Sequence, residues 1–184
     1  MILLVAATDE ELAAAGAADT FCCGIGPAES GIRTARALAE RQPDAVLHVG
    51  IAGAPELAPL SVVIGTEAFY ADIADPDSRI PRVERVYPAP GLVEAARRAL
   101  PDAHLLPIAS CARVGGGGAC EVEAMEGFSV LRAAELAGVP AVEVRTVSNR
   151  PTDSDRAMWQ IDEALERLGA IVPRLIDGLT PAVR

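Results

Sequence analysis

Residues 122–149, "VEAMEGFSVLRAAELAGVPAVEVRTVSN", decide how this chain folds. The spacing predicts a buried helix over residues 125–137 and a buried strand over residues 141–148. Glu123, Glu126 and Gly127 crowd the mouth of this apolar unit, and the strand carries Arg145 within it and runs on to Asn149. A helix feeding an apolar strand is one unit of a strand–helix alternation, and the rest of the chain repeats it.

Working outward, "ILLVAA" (2–7) reads as a buried strand and "DEELAAAGAA" as a short helix. "DTFCCGIG" (19–26) reads as a strand entering a turn, with Pro27 opening a helix whose apolar positions are Ile32, Ala35, Leu38 and Ala39. "DAVLHVGIAGA" and "SVVIGTEAFYADI" are strands, and residues 74–90, with four prolines, form an irregular surface loop. "GLVEAARRALPD" is a helix, "AHLLPIAS" a strand and "ARVGGGGAC" a glycine-rich loop. A last helix starts near Ser154, with Gly169 and Pro173 expected to kink or divide it. Near-continuous Val, Ile and Leu strands alternating with helices predict an α/β fold: a central mixed, mostly parallel sheet with helices on both faces. Residues 1–184 are expected to form one domain. In such sheets ligands bind beyond the carboxyl ends of the strands, which selects residues 8–11, 24–27, 50–54, 110–118 and 148–149.

Composition narrows the partners. The chain is 51% hydrophobic but only 3% aromatic, and its net charge of −10 argues against binding nucleic acid, which needs basic patches. The apolar run at the N-terminus is too short for a signal peptide or a membrane span, so no membrane partner is expected. Cys22, Cys23, Cys111 and Cys120 form no C-x-x-C pair and read as reduced, which implies a cytoplasmic location. His48 and His104 are too few and too isolated to hold a metal and read as structural. No metal and no cofactor is expected.

Four constellations carry chemistry. "GIGPAESG" opens a helix after a strand, where free N–H groups favour anions or hydroxyls, although a tight structural turn explains it equally well. It is neither the dinucleotide fingerprint, since its third glycine, Gly31, comes too late, nor a P-loop. In "HVGIAGA" the backbone at Ile51, Ala52 and Gly53 can approach a ligand, or simply pack tightly. Of Asp9, Glu10 and Glu11, two serve the helix dipole and the third can face the strand ends as a general base. Glu123 and Glu126 can cap their helix, or one carboxylate can accept hydrogen bonds from two vicinal hydroxyls. A buried Arg145 needs a carboxylate or a ligand; Glu143, two residues back on the same strand and face, is expected to be sterically unsuited to pair with it.

Read in order, "ATDEEL", "GIGPAESG", "GIAGA", "VEAMEG" and "VRTVSN" resemble the successive motifs of the nucleoside phosphorylase/nucleosidase superfamily, which includes the methylthioadenosine/S-adenosylhomocysteine nucleosidases. Within it they most resemble the futalosine hydrolases of the alternative menaquinone pathway. The resemblance covers essentially the whole chain. It implies hydrolysis of the N-glycosidic bond of a small purine nucleoside by a homodimer or larger homo-oligomer. It puts Glu11 on the general base, Arg145 beside the attacking water, and Met125 and Glu126 on the ribose, with Glu126 taking the 2′ and 3′ hydroxyls. Ile51, Ala52 and Gly53 fall at the strand-end contact, and Ser110 and Val114 in the base-stacking loop. Asn149 stands where adenosine-type enzymes carry an aspartate that protonates the purine N7, and Ile51 where they carry a serine. Only residues 12–23 fill the interval of the family's usual β-hairpin, so that hairpin is expected to be curtailed.

These departures bear on substrate. Glycosidic cleavage builds negative charge on the departing base. An asparagine amide can donate to N7 or to a 6-oxo group, whereas adenine presents an amino donor beside N7. The pair Asn149 and Ile51 therefore favours a 6-oxopurine such as hypoxanthine, and with it futalosine, over methylthioadenosine. A phosphorylase would need a basic pocket, and helical spacing points Arg33 and Arg36 outward. A noncatalytic nucleoside-binding module is the alternative of another class.

Overall fold

The computed structural model describes residues 1–73, 79–118, 120–153 and 155–183. Its strands are β1 (Ile2–Ala6), β2 (Thr20–Cys22), β3 (Ala45–Gly53), β4 (Val62–Tyr70), β5 (Arg85–Val86), β6 (His104–Ser110), β7 (Glu123–Ala124) and β8 (Ala141–Asn149). Its helices are α1 (Asp9–Ala15), α2 (Pro27–Arg41), α3 (Pro90–Ala99), α4 (Gly127–Ala137) and α5 (Ile161–Leu179).

The sheet is mixed and mostly parallel. β1 pairs parallel with β2 and β3, β3 with β8, and β4 and β7 with β6. Antiparallel pairs join β4 to β5 and β8, and β3 to β7. Because β7 bridges β6 back to β3, the path β3–β8–β4–β6–β7 closes on itself like a barrel. Inside it Ala52, Val63, Ile108, Val122 and Val147 form a small apolar plug. On one face Leu4, Leu47, Val142 and Val144 pack under Leu92, Leu168, Ile171 and Leu175 of α3 and α5. On the other, Leu3, Val5 and Val46 meet Leu38 of α2 and Phe128, Val130 and Leu131 of α4. The predicted helix–sheet–helix layering is thus the observed one.

Three boundaries differ from expectation. α4 starts at Gly127 rather than at residue 125, because Glu123 and Ala124 are drawn into the sheet beside Gly53 and Ala109. α5 starts at Ile161, after a 3₁₀ turn at Arg156–Met158 that Asp155 caps; Ser154, where the helix was expected to begin, lies outside the described residues. α5 also remains one helix through Gly169 and Pro173. A mid-helix proline costs about 3 kcal/mol, but Leu168, Ile171, Val172 and Leu175 are fully buried on either side of it, and each contributes about 1.5–3 kcal/mol by burial. Gly169 itself is required by packing, since a Cβ there would lie 2.5 Å from the Ala14 carbonyl of α1. Of the irregular segment expected over residues 74–90, residues 74–78 lie outside the description, and the remainder holds β5. Between α1 and α2 only the three-residue β2 is present, parallel to β1, so the hairpin is curtailed as expected.

Candidate functional site

The parallel strands β1, β3 and β8 end at one edge of the sheet, and a cavity of about 420 Å³ opens there. That volume suits a drug-sized or nucleoside-sized ligand. Thr8 and Glu11 line it from the end of β1, Ile51, Ala52 and Gly53 from β3, and Ser148 and Asn149 from β8. Met125 and Glu126 close it from the mouth of α4, Val114 from the glycine-rich loop, and Arg145 from its floor.

Glu11 serves both readings its position allowed. It is the fourth residue of a capping box, in which the Thr8 hydroxyl accepts from the Glu11 N–H. Its own carboxylate takes the Ala7 and Thr8 N–H groups on Oε2 at 3.0 and 3.1 Å, and the Ile51 N–H on Oε1 at 3.0 Å. The cap turns the side chain away from solvent, 5% exposed, and aims it at the end of β3. Asp9 and Glu10 sit in the first helical turn.

Arg145 is fully buried beside Glu11. Its Nε–H donates to Glu143 Oε1 at 2.8 Å, and its Nη2 lies 3.6 Å from Glu126 Oε2. The expectation that Glu143 is sterically unsuited is therefore corrected. Same-face neighbours on a strand are about 6.6 Å apart, and a side chain as long as arginine spans that gap by leaning along the strand. Gly50, the cross-strand partner of Arg145, makes the room: a Cβ there would lie 2.3 Å from Arg145 Nη1 and 2.5 Å from Glu11 Oε1. Burial works against the guanidinium charge, but Glu143, Glu126 and Glu11 outweigh it and hold Arg145 above its ordinary range. Burial raises the Glu126 and Glu143 carboxyls, with Arg145 opposing.

Glu126 occupies the N-cap position of α4 but makes no capping bond. Its Oε1 accepts instead from the Gly26 N–H at 3.0 Å. The free donor at the start of α2, read from sequence as an anion site or a turn, is thus held by a carboxylate of the chain itself. Glu123 does not cap either: it accepts from the Gly115 and Gly117 N–H groups at 2.6 and 3.0 Å and ties down the glycine-rich loop.

At the far end of the cavity, Asn149 Oδ1 accepts from the Ser148 hydroxyl at 2.9 Å, while Asn149 Nδ2 is buried without a partner. Gly53 leaves space for that amide, since a Cβ there would lie 3.3 Å from Nδ2.

Nine of the ten residues singled out by sequence, Glu11, Ile51, Ala52, Gly53, Val114, Met125, Glu126, Arg145 and Asn149, line this one cavity. Ser110 does not. It is fully buried behind the cavity wall, where its hydroxyl accepts from the Phe128 N–H at 2.7 Å and caps α4. Sequence reasoning missed Trp159, Ile161, Asp162 and Leu165 of the lining, and it gave Ile25 and Arg113, which fall within the selected strand-end ranges, no role of their own; the one tryptophan of the chain was the available signal. It read His48 as structural, yet that fully buried ring faces Arg145. Burial pushes the Cys23 and Cys111 thiols up to about 12 and Cys120 to about 11, which keeps them protonated. Arg33 and Arg36 lie on the exposed side of α2, paired with Glu29 and Glu40. Among the described residues, no cluster of three or more His, Cys, Asp or Glu is placed to hold a metal, and no helix is long and apolar enough to cross a membrane.

The profile of the phosphorylase superfamily matches residues 20–177. Futalosine hydrolase of Streptomyces coelicolor is 35% identical, with 85% of this chain and 77% of that protein covered. Futalosine hydrolase of Acidothermus cellulolyticus is also 35% identical, covering 82% and 72%. The structure of a mutant futalosine hydrolase of Helicobacter pylori superimposes with a TM-score of 0.85 at 16% identity, over 96% of this chain and 98% of that one. Matched by the superfamily profile along most of its length, and by these relatives along most of theirs, the chain belongs to the phosphorylase superfamily and, within it, to the futalosine hydrolase family.

Proposed function

We propose that this protein hydrolyses the N-glycosidic bond of futalosine, releasing hypoxanthine and dehypoxanthine futalosine, in the alternative menaquinone pathway. The observation that carries the reading is Asn149 Nδ2, a buried donor with no acceptor, held in orientation by Ser148 at the cavity end. A buried amide N–H without a partner costs about 1–3 kcal/mol, and N7 or O6 of a 6-oxopurine supplies what it lacks. As the glycosidic bond lengthens, negative charge grows on the base and this hydrogen bond strengthens. Glu11 takes a proton from the attacking water, with the nearby Arg145 guanidinium polarising the site. Glu126, whose Oε2 is free of backbone donors, accepts from the ribose hydroxyls, with Met125 against the sugar. Ile51, Ala52, Gly53 and Val114 frame the purine. Ser110 acts indirectly, by fixing the start of α4.

Water rather than phosphate is the acceptor in this reading, because the arginines of α2 lie outside the cavity and the buried Arg145 is paired with carboxylates, which leaves Arg113 as the one other arginine among the described lining residues. The protein works as a homo-oligomer in the cytoplasm: Ile32 and Leu136, on the neighbouring helices α2 and α4, are 71% and 72% exposed, and all four cysteines are unpaired. The test is incubation with futalosine, with inosine and with methylthioadenosine, with and without phosphate, and chromatography of the released base. Hypoxanthine from futalosine independent of phosphate is expected. Adenine release exceeding hypoxanthine release, or a strict need for phosphate, overturns the reading.

A further inference from the structure

The cavity end that holds Glu11 and Glu126 rests on two groups that do not line it. Across the sheet, Val5, His48 and Glu143 stand side by side on β1, β3 and β8, two residues behind Gly50 and Arg145 along the strands. The Arg145 side chain leans back over this row. Its Nε–H meets Glu143 Oε1 at 2.8 Å and its Nη2 meets His48 Nε2. His48 Nδ1 lies 3.1 Å from the Val5 carbonyl, which only accepts. The proton of His48 is therefore on Nδ1, and Nε2 is the acceptor for the guanidinium.

We infer that Glu143 and His48 are positioning residues, which clamp the guanidinium of Arg145 from behind and leave its Nη1 edge to face Glu11. The inference rests on Arg145 working in the hydrolytic site as proposed above.

The arrangement is built at a cost that packing alone does not explain. Glu143 is fully buried between Val142 and Val144, and its Oε2 has no partner. Its carboxylate also demands a glycine opposite: a Cβ at Gly127 would lie 2.2 Å from Glu143 Oε2. An apolar residue at position 143 would satisfy the sheet, and replacing buried ion pairs by well-packed apolar groups is often neutral or stabilising. What an apolar residue cannot do is accept the Nε–H bond that sets the plane of the guanidinium. Two acceptors on one edge, from two different strands, define that plane. A shift of about 1 Å in a group near the reacting atoms costs on the order of 100-fold in rate, so a clamp of this kind reads out in turnover more than in binding.

The test compares Glu143→Gln, Glu143→Val and His48→Gln, each in the Arg145 and the Arg145→Ala background, by kcat, KM and Tm. With Arg145 present, Glu143→Val is expected to lower kcat by about 100-fold with KM within about threefold. Glu143→Gln keeps an oxygen for the Nε–H and is expected to recover about tenfold of that loss. In the Arg145→Ala background the same changes are expected to shift kcat by less than about twofold, since their target is gone. Equal losses in both backgrounds, or a kcat for Glu143→Gln and His48→Gln within about twofold of wild type, overturn the inference. Should Glu143→Val not fold, those two conservative variants decide. Nitrogen-15 NMR separates this result from failure of the hydrolase reading. A slowly exchanging arginine Nε–H resonance, missing in Arg145→Lys and displaced in Glu143→Gln, is expected whether or not futalosine is the substrate, and an Nε–H signal unmoved by Glu143→Gln refutes the clamp.

Discussion

The two ends of the cavity are built on opposite plans, although one strand, β8, supplies both. At the Arg145 end, three carboxylates surround one guanidinium, and Glu11 and Glu126 are already bonded to backbone N–H groups. At the Asn149 end, four residues further along, the side chain is neutral and its donor nitrogen, Nδ2, has nothing to bond. The first end is preorganised: its dipoles and charges stand in place before any ligand arrives and need no rearrangement as charge develops on the sugar and water. The second is selective, because it is satisfied only when an acceptor is bound. Rate is thus expected to depend most on the charged end, and discrimination between purines on the neutral one.

The largest effect is expected at the charged end. Glu11→Gln removes the proposed general base, and turnover should fall by roughly 10²–10⁴-fold. The backbone pattern adds a second consequence. Glu11 offers one oxygen to Ala7 and Thr8 and the other to Ile51. A glutamine has one oxygen only, so its amide N–H₂ must confront one of those N–H groups, a loss of about 1–3 kcal/mol. A lower Tm together with the lost turnover is the expected result, measured by steady-state kinetics and thermal melts. Loss of Tm with turnover kept would reduce Glu11 to its capping role and erase the contrast between the two ends.

At the neutral end the expected effect is smaller and depends on substrate. Asn149→Ala deletes the proposed donor to the leaving base, a loss that typically costs about 10²–10³-fold in kcat, with KM affected less. Asn149→Asp is expected to be harsher for a 6-oxopurine nucleoside at high pH, where an ionised carboxylate repels N7 and O6. It should be partly rescued at low pH, or with a 6-aminopurine nucleoside, because the protonated acid donates to N7. The measurement is kcat/KM across pH on matched 6-oxo and 6-amino substrates. An aspartate variant with unchanged preference and no new pH dependence places the base elsewhere.

The same contrast explains what sequence could reveal. Near-continuous apolar strands and helical spacing made the layering legible, and the strand-end rule together with the motif resemblance picked out ten residues, nine of which line the cavity. Those are local signals: Glu11 follows β1 by five residues, and Asn149 ends β8. The misreadings are non-local or conformational. That Glu143 reaches Arg145 depends on how a long side chain leans, and that His48 joins them depends on the register of β3 against β8. β7 is only two residues long and exists because two distant strands flank it, so no periodicity announces it. Ser110 sits one residue before the loop it was assigned to, and the direction of its hydroxyl, inward to Phe128, follows from the placement of α4. Trp159 lines the cavity from the segment before α5, which begins later than its composition implies, and Leu165 from the first turns of α5 itself.

The smallest expected effect probes how firmly the charged end is held, through stability rather than rate. Burial, and then the charge of Arg145, push the His48 imidazole well below its ordinary value of 6.5. In the unfolded chain that imidazole takes up a proton near 6.5; in the fold it does not. Below that pH the unfolded state binds more protons, so stability rises with pH there. The His48 contribution is fully present above 6.5 and is lost as pH falls below it toward the folded value. Each pH unit in that window is worth at most about 1.4 kcal/mol, which for a chain of this size moves Tm by about 2–4 °C per kcal/mol. Glu126 and Glu143, raised by burial, act in the opposite sense, gaining stability as pH falls through their folded values, and both remain in the variant. Between pH 7 and pH 5.5 the wild-type Tm should therefore fall by about 3 °C more than that of His48→Gln, measured by calorimetry in buffers of equal ionic strength. Parallel curves would mean that the imidazole accepts its proton in place, with Nε2 free to turn from Arg145. The charged end would then be as open to rearrangement as the neutral one.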